Sequence, residues 1–477
     1  MSSNIDTSIS LKMKQVKKLL QNLNQFMQEQ DITGTVTYKH EDSHMVRCGR
    51  SQISLNVSEQ GEKYFIALQK GKRKIEGSTT AQLDEIDKLK SFVLSLQEKL
   101  QFMPEVNHSG PLEPIAEAEV GEKLDISKVD PSILNIESAI MVDLFKQVEN
   151  SFSDQNVEIS GAFSAGIQSY AIINTLVEQA ITYQGSDYNI ELVVQLLDHN
   201  KKELRVSDVG CSLQQFESTT LINHLKKMFL LKTKLVQQDI KSGEYDVVFY
   251  ADAFAELTNY MAYLTLQGET FEYGMGMLQK GKHQLGDKIF AEDLTIIDDP
   301  ADESLLFNRP IGQNGIKRNR FPLITKGVLA NMFYSAKEDC DRFNVQVNND
   351  VNVAGLKVLT GDGPENFDEM VKTCIKPTLF ISYIHYMNFT NPAKGEFTGS
   401  SRFGTFLIEN GKIASQLKNQ RINDSYHNIF NNIEWLSSTL THINTSNTYD
   451  MRNATSIACP QFVKVNNVNI TGSSQSA

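Results

Sequence analysis

Residues 38–50 read YKHEDSHMVRCGR, and within them His40, Glu41 and His44 stand in the order H-E-x-x-H. Zinc peptidases use that order on a helix, where residues four apart lie on one face. Two imidazoles can then share an ion, with the Glu beside the metal-bound water. The flanking text predicts strands instead. GTVTY before it and ISLNV after it are β-branched or alternating, and Asp42 and Ser43 are turn formers. The expected geometry is therefore a hairpin with EDS at its tip. On one extended strand, residues four apart are separated by roughly 13 Å, too far for two ligands that each reach about 2 Å. A hairpin leaves one route open, in which His40 and His44 face each other across two strands and chelate a metal, although a third ligand is missing. The other histidines, His108, His199, His224, His283, His385, His427 and His442, are isolated in sequence and form no second constellation.

The elements around the motif can be read from periodicity. Ile9, Met13, Val16, Leu20, Leu23 and Met27 recur every three or four residues and predict an amphipathic helix. TVTY, ISLNV and YFIAL follow as strands with Gly-containing turns, and Thr80 is positioned to cap a second helix carrying Leu83, Ile86, Val93, Leu96 and Leu100. Residues 1–103 thus read as helix, antiparallel sheet and helix. Residues 104–123, with three prolines and several acids among few large apolar side chains, read as a linker. A mixed α/β region spans 124–240, either separate or joined to the N-terminal part. Residues 241–477 are Gly-punctuated short strands, a large and mostly antiparallel β domain. The fold class expected is α+β.

Composition narrows the function. Across 477 residues the formal net charge is −12, and the compact basic run, Lys70 to Lys74, reads as a solvated turn between a strand and a helix. Nucleic-acid binding needs a basic face, so it is not expected. Five cysteines without a C-x-x-C pair suit a reducing compartment. The opening MSSNIDTSISLKMKQVKK has no apolar core, and no run approaches the roughly 18 apolar residues of a membrane span. A cytoplasmic protein is expected, and N-x-[ST] triplets such as Asn56 to Ser58 reflect only an Asn- and Ser-rich composition.

Several stretches resemble the TldD/PmbA (TldD/TldE) family, once called modulators of DNA gyrase. SGEYDVVFYADAFAELTNYMAYLTLQGETF and GDKIFAEDLTIIDDP resemble the start of its C-terminal domain. GIKRNRFPLITKGVL, with Gly315, Arg320 and Gly327, is similar to its Gly-Arg-strand-Gly segment. NFTNPAKGEFTGSSRFGTFLIENGKI is similar to its most recognisable stretch, here with Asn391, Gly395, Glu396, Phe397, Thr398, Gly404 and Ile408 to Gly411. CPQFVKVNNVNITG resembles its closing strand.

The resemblance implies a pair of related subunits. The TldD type is a zinc peptidase with H-E-x-x-x-H on a helix and a Cys ligand near the C-terminus, and the TldE or PmbA type lacks those ligands. Spacing back from Gly286 and TIIDDP puts the zinc helix at AYLTLQG, where Ala262, Tyr263 and Gln267 stand in place of His, Glu and His. Cys459 lies too close to the final strand to match the Cys ligand and reads as a buried thiol. At IGQNGI, Gln313 and Asn314 stand where the family usually has acids. The resemblance therefore implies a non-catalytic TldE/PmbA-like subunit with no metal of its own. Its zinc would sit on a TldD-type partner, and peptides or unfolded segments would be the substrate. Asn391, Gly395, Glu396, Phe397 and Gly404 are candidates for a peptide-binding wall, or alternatively for a tight turn needed by the fold. Two other outcomes stay open: an active peptidase with an atypical metal site, and a homodimeric peptide-binding scaffold without catalysis.

Overall fold

The structure is a computed structural model that describes residues 2–115, 125–197, 202–446 and 451–474. The second half of the expected linker and the last residues of the tail lie outside the described residues.

The first helix, α1 (Ser2–Glu29), buries Met13, Val16, Leu20, Leu23 and Met27, the stripe its periodicity predicts. It packs on a sheet whose first strands are β1 (Thr33–Gly49), β2 (Gln52–Lys70) and β3 (Arg73–Thr79). Here the sequence expectation fails in three places. The chain does not turn at Glu41–Ser43: β1 runs straight through, paired on both edges, with β2 on one side. The hairpin turn lies at Arg50 and Ser51, both with positive φ (53° and 56°), which matches the twist of the flanking strands. Pairing on both edges outweighs the turn preference of Asp42 and Ser43. The basic run turns at Gly71–Lys72 into a third strand rather than a helix. Finally, α2 (Ile86–Leu100) begins after Glu85, six residues beyond Thr80, and buries Leu89, Val93, Leu96 and Leu100.

Beyond the linker come β4 (Asp125–Lys128), α3 (Pro131–Leu134), α4 (Ser138–Ser151), β5 (Val157–Asn174), β6 (Ile181–Leu196), β7 (Glu203–Gly210) and α5 (Ser218–Lys234). These strands join the first three in one sheet of order β3-β2-β1-β5-β6-β4, with β7 also on β6. The other edge of β1 is therefore covered by β5.

The C-terminal part begins with β8 (Gln237–Gln238), β9 (Gly243–Tyr250), α6 (Ala251–Thr265) and α7 (Gly268–Glu272). Short strands follow: β10 (Ile296–Asp298), β11 (Phe321–Thr325), β12 (Val328–Leu329) and β13 (Leu356–Val358). Then come β14 (Thr378–Asn391), β15 (Glu396–Glu409), β16 (Lys412–Leu417), β17 (Asn419–Ser425) and β18 (Ile433–Leu436). The last are β19 (Leu440–Asn444), β20 (Ser456–Pro460) and β21 (Phe462–Ser474). One sheet has the order β12-β11-β10-β13-β20-β19. In the other, β14, β9, β21, β17 and β15 pair in succession and β15 pairs back to β14, so the sheet closes on itself and those strands lose their free edges. The fold is α+β with mostly antiparallel sheets. Among the described residues no helix is long and apolar enough to cross a membrane.

The two faces of the N-terminal sheet differ in what they meet. Val36 and Tyr38 point into the core under α1 and α2. The opposite face is polar and receives loops of the C-terminal part. Arg309 stacks on Tyr170 and Tyr183, Lys39 donates to Gln313 Oε1 at 3.1 Å, and the Tyr170 hydroxyl donates to the Gln313 carbonyl. The most buried of these contacts is a bidentate pair between Arg452 and Asp187, at 2.7 and 2.6 Å, with a further bond from Arg452 to Ser164 Oγ at 2.8 Å.

Candidate functional site

The helix α6 follows directly from barrel strand β9. Its Ala-rich sequence favours helix, and Asp252 in the first turn suits the positive end of the helix dipole. Phe254, Leu257, Met261 and Leu264 go into the core. What remains is a stripe at four-residue spacing, Asp252, Glu256 and Tyr260, continued by exposed Tyr263. The spacing is present in the sequence, but Asp, Glu and Tyr at four-residue intervals carry no metal-site signature.

This stripe faces residues from both parts of the chain. Asp252 Oδ1 accepts from Arg205 Nη1 at 2.5 Å and from Ser207 Oγ at 3.1 Å, so β7 is tied to the start of α6. Arg205 also donates to Glu191 at 2.8 Å and lies over the Tyr383 ring at 4.6 Å. Burial opposes the charge on Arg205, but Asp252 and Glu191 outweigh it and hold the guanidinium more firmly protonated than usual. One step along, Arg402 grips Glu203 with two bonds at 2.8 and 3.3 Å and approaches His385 Nδ1 at 3.3 Å. Burial, helped by Arg402, pushes His385 below the usual imidazole range. Burial pushes the Glu256 carboxyl up, and the nearby Arg205 only partly offsets it. Tyr260 packs on Phe389 with ring centroids 5.5 Å apart.

The backbone here is strained. Tyr386 and Phe403 have φ of 53° and 65°, a region that bulky side chains rarely enter. Phe403 is held by Lys232, whose ammonium donates to the Phe403 carbonyl at 2.6 Å and to that of Glu203, and which burial brings down to about 7. The site is thus a wall of two Arg–carboxylate pairs, aromatic rings and a carboxyl biased toward its neutral form. It can accept and donate hydrogen bonds at fixed positions. Among the described residues, no three His, Cys, Asp or Glu side chains are grouped so as to hold a metal ion.

The sequence candidates fall elsewhere. His40 and His44 lie on one continuous strand, His40 opposite Glu62 and Ser169, His44 opposite Ser58 and Ala165. They cannot face each other across a hairpin, and roughly 13 Å of strand separates them. His44 Nδ1 bonds Ser58 Oγ at 2.7 Å. Glu41 points to the opposite face, where it accepts from Ser43 Oγ at 2.6 Å and from the Arg452 backbone N–H at 2.7 Å. Burial, reinforced by the Lys12 ammonium, takes His40 down to about 4.

Ala262 is buried in the core and Tyr263 is exposed, while Gln267 lies beyond the end of α6 as the residue preceding α7. These three do not share a face. Cys459 is fully buried on β20, its thiol 3.6 Å from the Ala251 carbonyl, and burial pushes its pKa up. Asn391, Gly395 and Glu396 form the turn between β14 and β15, where Gly395 has φ 66° and a Cβ would come within 2.9 Å of Met277 Sδ. Phe397 is in the core, stacked on Tyr426 at 4.9 Å. Gly404 lies roughly 25 Å further up β15, beside Ser382, so the five are not brought together.

Residues 242–472 match the model of the PmbA/TldA metallopeptidase C-terminal domain. The chain is a member of the TldD/PmbA family. Solved structures with the same fold include TldE from Thermococcus kodakarensis, at 16% identity and TM-score 0.77, covering 95% of this chain and all of that one. A protein described as a modulator of DNA gyrase from Thermotoga maritima matches at 15% identity and TM-score 0.77, covering 95% of this chain and 99% of that one. A similarly described protein from Bacteroides thetaiotaomicron matches at 15% and 0.77, covering 95% and 98%. No curated protein matches the chain. At these identities the likeness establishes the fold, and the TldD/PmbA family is a metallopeptidase-related one.

Proposed function

We propose that this chain is a non-catalytic, TldE/PmbA-like subunit that pairs with a zinc-bearing TldD-type partner in the processing of peptides or unfolded segments. The observation that carries the reading is α6, which contains neither His nor Cys. Its polar stripe is instead occupied by an Asp252–Arg205 pair, a carboxyl and two tyrosines, and zinc needs nitrogen, sulfur or ionised oxygen donors that are free to turn to it. The chain would complete the walls of a shared chamber, with the Arg205, Arg402 and Tyr383 surface fixed by contacts between its two parts. Five unpaired cysteines, four of them buried, fit a reducing cytoplasmic setting.

The test is co-expression with the TldD-type protein encoded in the same genome. Co-purification as a stable complex, with peptide hydrolysis that requires the partner's zinc, is the expected result. Two proteins that elute separately, with hydrolysis unchanged by this chain, would sink the reading.

A further inference from the structure

A cavity of about 490 Å³ opens where β7 and α5 meet the C-terminal barrel, next to the Arg205–Asp252 wall and separate from the β1 motif. That volume is within the range of small-molecule sites. Tyr250, Phe380, Tyr383 and Phe403 supply aromatic walls from the barrel, and Leu221 and Met228 supply aliphatic ones from α5.

The charges around this apolar space are unequal. Arg205 is the strong cation of the lining, and Glu191 and Asp252 already hold it. Two further carboxylates, Asp208 on β7 and Glu217 at the mouth, line the cavity, and among the described residues neither forms an ion pair. Asp208 accepts from the Tyr188 hydroxyl at 3.0 Å, which fixes its orientation and leaves it further acceptor capacity. His224 on α5 also lines the space, and burial, with Lys227 adding, keeps it below the usual imidazole range. Burial pushes the Asp208 carboxyl up, a cost that a cation seated on it would offset, so the lining combines aromatic surface with carboxylates outside any ion pair and suits a cation carried on an apolar group.

We propose that this cavity binds an apolar primary ammonium, its hydrocarbon or aromatic part between the α5 and barrel side chains and its charged nitrogen on Asp208. Free aromatic amines and the N-terminal residue of a peptide share that chemistry. The proposal does not depend on pairing with a TldD-type subunit.

The full-length chain is titrated by calorimetry with 2-phenylethylamine and with 3-phenylpropionate, which has the same ring and the opposite charge. The expected result is that the amine binds and the carboxylate does not. Asp208→Asn, with its fold checked by circular dichroism, should weaken the amine by about 10- to 100-fold, the loss expected for a charged hydrogen bond. Equal binding of the two probes, no binding of the amine, or unchanged affinity in a folded Asp208→Asn variant would overturn the proposal. If that variant does not fold, the comparison of the two probes on the native chain still decides. Phe-Ala-Ala with a free and with an acetylated N-terminus separates the sources. Binding of the free form alone supports the peptide terminus, and binding of the amine but neither peptide supports a small amine.

Discussion

Strand β1 and helix α6 are opposites. β1 holds the side chains of a zinc motif, His40, Glu41 and His44, on a backbone that sets the two imidazoles far apart and sends the carboxylate to the other face. α6 has the backbone that would bring residues four apart together, but none of the nitrogen or sulfur ligands. Residue type and scaffold are separate requirements, and each region meets one. The polar side chains of both regions are engaged in contacts within the fold. On β1 the Glu becomes a structural acceptor for the Arg452 loop, and on α6 the stripe becomes a docking face for Arg205.

The comparison can be tested directly. Giving α6 the donors it lacks, with Glu256→His and Tyr260→His together, should raise the zinc affinity of the chain, read by competition with a chromogenic chelator. No gain in a folded variant would mean that the stripe is not arranged as described.

The next effect concerns the other face of β1. Arg452→Ala leaves Asp187 buried without its partner and should cost about 3–5 kcal/mol in urea unfolding. A cost under about 1 kcal/mol would show that the loop does not lock onto the sheet.

A smaller effect is pH-dependent. The pKa of His40 is about 4 in the folded chain, below the unfolded value, so the unfolded chain binds the proton more readily. Stability should fall as pH drops from about 6.5 toward 4, by about 1–3 kcal/mol, and part of that slope should vanish in His40→Gln. Parallel pH profiles for the two proteins would contradict the burial argument. Smallest of all, His44→Ala removes a single bond to Ser58 and should shift stability by about 0.5 kcal/mol or less, with zinc content unchanged.

Much of the fold was legible because burial follows periodicity. The α1 stripe from Met13 to Met27 and the alternating strands could be read directly, and the motifs from Gly315 to Gly411 identified the C-terminal domain. The turn expected near Asp42 is absent because local propensity does not register that β5, more than a hundred residues away, covers the second edge of β1. Thr80 has the chemistry of a cap, and only tertiary context shows that the helix starts after Glu85 instead. The site was less legible. Arg205, Glu203 and Arg402 come from strands far apart in sequence, and only the fold brings them beside α6. The four-residue spacing of Asp252, Glu256 and Tyr260 was the one local signal. In the glycine-rich text from Asn391 to Gly404, Gly395 holds a tight turn and Gly404 a close strand contact.

On the proposed reading neither the motif on β1 nor the helix α6 holds a metal. The deciding measurement is elemental mass spectrometry of the untagged chain, purified without chelators. We predict a zinc content near zero for the chain alone. About one zinc per chain would overturn the proposed non-catalytic role and place this molecule with zinc-bearing members of its family.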